Sequence, residues 1–257
     1  MPSTSRDGQR LDKRVLPSLL LLVILLVLWQ AVVYFKFINP IFVGSPLGVV
    51  KEFIDLFASK EIYPQLWNSF SAFFVGFITA VISGTVLGLV VGTNKKIFQV
   101  LSPYIYAIDA LPKLVLFPLI IIWFGIGLNA KIFVIFLMTI IPVLVNTIDA
   151  AKAVDPKLVV MAHSFRGSRF FILKNIYLPA SLPYIFSALR LAVGRALGGL
   201  ILAEFNGIGQ GIGYLIAFYG GTLQTDRLLA LVLVVLIIDL LLLKSISFAE
   251  KKIIVWK

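Results

Sequence analysis

The sequence predicts an all-α, polytopic membrane protein of about six transmembrane helices, and three observations carry that expectation. Of the 257 residues, 60% are hydrophobic and 14% charged, with a mean hydropathy of +1.02. A soluble domain holds about 45–50% apolar and about 25% charged residues, so lipid has to cover what the polar residues cannot. The apolar residues are also gathered into runs that suit a bilayer core about 30 Å thick, which takes roughly 20 residues of helix. Finally, all but three of the 23 Lys and Arg residues lie outside the runs and are sorted unequally between alternate connections, the asymmetry that marks cytoplasmic loops.

The runs come in order. Residues 15–35 carry no charge and are too long for the apolar region of a cleaved signal peptide, which takes about 7–15 residues; the run is expected to stay as a first helix behind a cytoplasmic tail, 1–14. Residues 67–92 form a second run. A third, 99–125, is interrupted by Asp109, Pro112, Lys113 and Pro118, and a fourth, 132–147, is uncharged. The fifth, 183–203, carries Arg190 and Arg195. The sixth, 228–243, carries Asp239 and is short, so its start is expected within 222–227. Together 66–250 is expected to form a core domain, with 251–257 as a cytoplasmic C-terminal tail.

Fifteen basic residues flank these runs on one side: Arg6, Arg10, Lys13, Arg14, Lys95, Lys96, Lys152, Lys157, Arg166, Arg169, Lys174, Lys244, Lys251, Lys252 and Lys257. Five lie in the alternate connections: Lys36, Lys51, Lys60, Lys131 and Arg227. Lys113, Arg190 and Arg195 lie inside runs. Both termini are therefore expected in the cytoplasm. The net charge of +11 reads as a topology signal, and a nucleic-acid partner, which needs basic charge clustered on one soluble face, is not expected. With no cysteine and one histidine, His163, neither a metal site nor another cofactor is expected. No nucleophile–base constellation can be assembled, so the chain is expected not to be an enzyme.

Within the second run Ala72, Gly76, Ala80, Gly84, Gly88 and Gly92 recur every four residues. They draw a stripe of small side chains down about 30 Å of helix, the pattern of a packed face between helices in lipid. In the third, Pro112 and Pro118 are expected to kink the helix, and Asp109 and Lys113, four apart, to form an ion pair on one face. Arg190 and Arg195 lie about 10 and about 18 Å along the fifth run. Intramembrane arginines need partners, and Asp109, Asp239 and Glu204 are the candidates. They form either a structural salt bridge or a basic lining for an anion's pathway. The run from Glu204 to Gly213 is rich in glycine but lacks a preceding strand and the G-x-G-x-x-G spacing of a dinucleotide loop. It is expected to serve close backbone packing.

About thirty residues separate the fourth and fifth runs. Asp155 suits an N-cap and Pro156 the first helical position. Leu158, Val159, Ala162 and Phe165 follow at helical spacing, and Gly167 is placed to end that helix. Ser168 can cap a second helix, which Pro179 is expected to stop. The expected product is a helical hairpin, 155–179, able to lie on a membrane or fill a groove in a partner protein.

The segment from Val160 to Pro179 resembles the EAA loop of ABC importer permeases, in which Glu-Ala-Ala is followed after three residues by Gly and then, after a fixed gap, by Ile-x-Leu-Pro. Ala162, Ile176, Leu178 and Pro179 match; Val160, Met161 and Arg166 depart from the pattern, with Gly167 one place beyond the usual glycine. Ser45-Pro46, the 111–127 segment, Asn146-Thr147, Val154-Asp155, the 189–192 segment and Ala203-Glu204-Phe205 are similar to the nitrate/sulfonate/taurine branch. That branch also includes permeases for thiamine and riboflavin precursors. The resemblance implies a MetI-like fold with a cytoplasmic coupling hairpin, in the prokaryotic inner membrane. It also implies three partners: a cytoplasmic ABC ATPase dimer, an extracytoplasmic solute-binding protein and a second permease copy, expected to be identical.

On that resemblance Met161, Ala162, Ser164, Phe165, Arg166, Gly167, Ser168, Arg169 and Pro179 are expected at the ATPase, and Asp109, Lys113, Arg190, Arg195 and Glu204 along the translocation pathway. The cargo is expected to be a small anion such as sulfonate, taurine or nitrate; a thiamine or riboflavin precursor is the alternative. The chain has no Gly-Lys dipeptide and so no Walker A loop, which leaves ATP hydrolysis to a partner. An ion-coupled secondary transporter, with Asp109, Arg195 and Asp239 as its relay, is the rival from another class, and a membrane anchor for a cytoplasmic enzyme is the third reading.

Overall fold

A computed structural model describes residues 6–254, with the side chains of the first eleven of these left aside. The five residues before them and the three after, including Lys257 and the outermost parts of the two expected tails, lie outside the described residues. The described chain is helical, with no strand among the described residues. It divides into two compact units, one running up to Glu61 and including Phe218–Val234, the other comprising Ile62–Ala217 and the chain from Val235 onward.

In the first unit α1 is Arg6–Tyr34. It starts nine residues before the apolar run, inside the stretch expected as a tail, because Arg, Gln, Leu and Lys are all good helix formers. Its apolar portion is Pro17–Tyr34, whose leucines, isoleucine and valines are broadly exposed, as a lipid-facing helix requires. A single turn, α2 (Pro40–Val43), precedes α3 (Pro46–Ala58). Ser45 caps α3 by accepting from Gly48 N–H at 3.0 Å, and Pro46 supplies the first helical position. Ser45 N–H in turn donates to the Asp226 carboxylate at 2.7 Å, and Arg227 donates to Glu52 at 2.8 Å. Asp226 and Arg227 open α12 (Thr225–Ile253), which follows the short α11 (Ile212–Gly221) and begins within the expected window.

The second unit is built on α4 (Ile62–Thr93) and α7 (Leu128–Lys152). Their contact is the glycine stripe. A Cβ placed on Gly76 would stand 2.6 Å from the carbonyl oxygen of Ile132, on Gly84 3.0 Å from that of Ile140, on Gly88 2.6 Å from Thr147 Cβ, and on Gly92 2.8 Å from Ala151 Cβ. Backbone meets backbone there, so dispersion and close packing replace the hydrophobic drive that lipid cannot supply. Around it Ala72, Phe73 and Ile135 pack with Val193, Ala196 and Leu200 of α10 (Leu178–Phe205).

The third run is two helices. α5 (Lys95–Ala110) stops before Pro112, a 3₁₀ turn covers Lys113–Leu116, and α6 (Phe117–Phe124) leaves at 86°. The expected kink is a full break. The pair nonetheless traverses the bundle. The Lys152 ammonium lies 3.0 Å from the centre of the Phe98 ring, so the start of α5 adjoins the end of α7. The start of α7 lies 25 residues away, about 37 Å along the helix. Residues 99–127 carry the chain from one end to the other, so the bent pair can serve as one span beside the five long apolar helices, up to six among the described residues.

The hairpin begins as expected, with Asp155 accepting from Lys157 N–H at 2.8 Å and Pro156 opening α8 (Pro156–Ser164). Ser168 accepts from Phe171 N–H at 3.1 Å and caps α9 (Arg169–Ile172). Two expectations are corrected. Pro179 does not stop a helix: a π turn at Leu173–Tyr177 leads directly into α10. A wide turn ahead of a proline leaves room for the ring that would otherwise strike the carbonyl four residues back, and helix runs on from Arg169 to Phe205. Nor does Gly167 supply the left-handed residue that ends α8. Arg166 does, at φ 56°, while Gly167 N–H closes the cap on the Ala162 carbonyl at 2.9 Å. The helix therefore ends at the position where the EAA pattern has its glycine. A Cβ on Gly167 would stand 2.8 Å from the Ala162 carbonyl oxygen, so Gly167 is there for space.

Candidate functional site

Two regions hold the site residues expected from sequence. The first is the hairpin tip. α8 buries none of its residues; Met161 is 58% and Phe165 82% exposed, and Val160, Phe170 and Phe171 are exposed beside them. Ala162 is half-buried, while Ser164 donates to the Val160 carbonyl at 3.1 Å. Arg166 and Arg169 are exposed at the turn and Pro179 is half-buried at the start of α10. The result is an apolar patch edged by two guanidinium groups, anchored through Ile172, which is buried. Such a patch outside the bundle is the signature of a docking surface.

The second is the intramembrane charge set, which the structure splits in three. Asp109 and Lys113 pair at 3.7 Å, with a second bond from the ammonium to the Asp109 carbonyl at 3.0 Å. That bond satisfies a carbonyl freed by the helix break. These two residues and Arg195 line a cavity of about 430 Å³ with Leu114, Met138 and Leu202. Arg195 has no ion-pair or hydrogen-bonding partner among the described residues.

Arg190 lies elsewhere. It pairs with Glu250 on α12 and donates to Ser187 at 3.0 Å. Glu250 is not among the candidates that the sequence offers, because the sixth apolar run ends at 243 whereas α12 stays helical to Ile253. Asp239 pairs with neither arginine, and its Oδ1 is buried without a partner.

Glu204, fully buried, forms the third group. It accepts from Lys131 at 3.1 Å, from Ser69 at 2.8 Å and from Gly213 N–H at 2.9 Å; Lys131 also donates to the Gln210 carbonyl at 2.6 Å. A Cβ on Gly211, at φ +158°, would fall on the Glu204 carboxylate, and one on Gly213 would stand 2.4 Å from the Ile201 carbonyl. The glycine-rich run is close backbone packing, folded around a buried ion pair. Lys131, which precedes the fourth apolar run, sits in the first turn of α7 and is 3% exposed. The available signal was position: the start of the fourth run and the end of the fifth lie at the same membrane level, which puts Lys131 opposite Glu204.

Residues 80–254 match the family described as binding-protein-dependent transport system inner membrane component. The taurine transport system permease protein TauC of Escherichia coli (strain K12) is 29% identical over 251 residues, covering 96% of this chain and 91% of its own length. The putative aliphatic sulfonates transport permease protein SsuC of the same organism is 33% identical over 228 residues, covering 89% and 87%. A chain of the MetNI methionine ABC transporter, solved in inward-facing conformations, matches with a TM-score of 0.65 at 16% identity over 74% of this chain and 95% of that one, which is a likeness of fold. With the family matched over residues 80–254 and five to six apolar spans among the described residues, the chain belongs to the binding-protein-dependent transport system inner membrane components and is a multi-pass permease subunit of an ABC importer.

Proposed function

We propose that this permease works as one of two identical copies, with both termini in the cytoplasm, and imports a small anion of the sulfonate, taurine or nitrate kind. A solute-binding protein hands over the cargo outside, and two ATPase subunits hydrolyse ATP inside. The hairpin couples the two ends. The observation that carries this is the joint between hairpin and bundle. The exposed patch around Phe165 is continuous, through α9 and the π turn, with the helix that carries Arg190 and Arg195. A push on the patch reaches the transmembrane part of α10 without a flexible linker. Moving a two-state equilibrium from 1:99 to 99:1 takes about 5.5 kcal/mol, which nucleotide-driven closure of two ATPases can supply.

Met161, Ala162, Ser164, Phe165, Arg166, Gly167, Ser168, Arg169 and Pro179 are assigned to this joint: Met161 and Phe165 as apolar anchors, Arg166 and Arg169 as rim charges, and Gly167, Ser168 and Pro179 as the residues that shape it. Asp109, Lys113 and Arg195 are assigned to the pathway. Arg190 and Glu204 border it as members of fixed ion pairs. The test is Phe165→Ala and Ala162→Asp in the assembled transporter. Phe165 is 82% exposed, so its loss leaves the permease's own stability within about 0.5 kcal/mol, while removing an interface anchor costs about 2 kcal/mol or more of ATPase binding. The expected outcome is normal membrane abundance with ATP hydrolysis uncoupled from uptake. Full coupling in both variants would remove the assignment. Screening the solute-binding protein with sulfonates, nitrate and thiamine or riboflavin precursors decides the cargo.

A further inference from the structure

We propose that the cavity beside the α5–α6 break is a binding subsite for a single negative charge, held by Arg195 and given its width by Gly194 and Gly198. It rests on the transporter reading only for the statement that cargo passes there; the site itself stands on its charge and shape. Three ionisable groups line it. Asp109 and Lys113 neutralise each other at 3.7 Å, so the guanidinium of Arg195 leaves the cavity with one uncompensated positive charge. A cation in that position is costly at membrane depth unless something answers it. A monoanion brings the site to neutrality, whereas a dianion overshoots and leaves it negative, and a cation adds to the positive charge. The planar guanidinium also offers a fork of donors matched to the oxygens of a sulfonate or similar oxyanion.

The two glycines give the second line. Glycine inside a helix costs about 0.5–1 kcal/mol relative to alanine and is usually repaid by close packing or an unusual backbone angle. Gly199 has such a reason, since a Cβ there would stand 2.8 Å from Met138. Gly194 and Gly198 do not. A Cβ on either would meet nothing within 4 Å, and neither has a positive φ. Both line the cavity, flanking Arg195 at one residue before and three after. What a side chain there would remove is room beside the guanidinium.

The chain contains no cysteine, which makes a direct test clean. Gly198→Cys is made in the full transporter complex in membrane vesicles. Its modification rate is measured with two methanethiosulfonate reagents of similar size, one ending in a sulfonate and one in a trimethylammonium. With each rate taken relative to that reagent's rate with a free thiol in solution, the subsite predicts a preference for the anionic reagent of at least about tenfold, the scale of one unit charge at short range. It also predicts loss of that preference in Gly198→Cys/Arg195→Gln, and slower labelling by the sulfonate reagent when ethanesulfonate is present. Equal relative rates for the two reagents, or a preference indifferent to Arg195, would overturn the proposal. So would spontaneous disulfide cross-linking of Gly198→Cys between permease copies, which would place the glycines against a second chain. Because labelling requires neither ATP nor a binding protein, a transporter that fails to couple can still pass this test, and one that couples normally can still fail it.

Discussion

Arg166 holds φ at 56°, in the left-handed region where an L side chain costs about 1–2 kcal/mol. Its charge is exposed and makes no ion pair among the described residues, so nothing within the described chain offsets that cost. Arg166→Gly is therefore expected to stabilise the purified permease by about 1 kcal/mol, read as a higher thermal midpoint, whereas Arg166→Ala keeps the strain and gives no gain. A lower midpoint for the glycine variant would mean that the side chain supports the fold. If the guanidinium also reaches the ATPase, the stabilised variant loses coupling, which separates backbone from side chain. Here the sequence was partly legible. Asp155, Pro156 and Ser168 announce their caps, because a cap is a local hydrogen bond. Gly167 misled, because glycine serves left-handed backbone and tight space alike, and only the fold says which. The partners of Arg190 and Glu204 lay beyond reach for a different reason: Glu250 and Lys131 are 60 and 73 residues away, and pairing at that distance is decided by how helices align.

Along whole helices the pattern is easier to read. The four-residue recurrence of small side chains on α4 specifies its packed face, and α7 lies on that face with its carbonyl oxygens within contact of the glycines. Gly88→Ala is thus expected to destabilise by about 1–3 kcal/mol, the usual cost of forcing atoms into a filled core, since its Cβ would stand 2.6 Å from Thr147 Cβ. Gly194→Ala is the internal comparison. With open space around it, the substitution should leave stability unchanged or raise it by about 0.5–1 kcal/mol. Equal losses of detergent-extracted, folded protein in the two variants would contradict the assignment of the α4–α7 seam. Prolines are less legible at this scale. Pro112 ends α5 and turns the chain by 86°, while Pro179 passes almost unnoticed through a π turn. The same ring breaks one helix and is absorbed by another, according to whether the turn before it can widen.

For the molecule as a whole the distribution of basic residues bears on which way the crossings face. The basic residues argue for a cytoplasmic hairpin and C-terminus, and burial of Lys131 in its ion pair with Glu204 sharpens the asymmetry by taking one cation out of the five assigned to the outer connections. The third run decides whether the count is even. Were 95–124 a re-entrant loop, the chain ends would face opposite sides and the basic clusters would be split between them. The Phe98–Lys152 contact argues against that, because it ties the start of α5 to the far end of α7. Single cysteines at His163, Lys251 and Ile126 in this cysteine-free chain test the geometry and the orientation together, since His163, Lys251 and Ile126 are all exposed. In intact cells a thiol reagent that cannot cross the membrane is expected to label Ile126→Cys and to spare His163→Cys and Lys251→Cys. Inside-out vesicles should reverse the result. Labelling of Ile126→Cys from the same side as His163→Cys would make the bent pair re-entrant and separate the hairpin from the pathway arrangement proposed for α10. Labelling of all three with sides exchanged would keep the fold and invert the protein, placing the hairpin where no ATP is available to drive it.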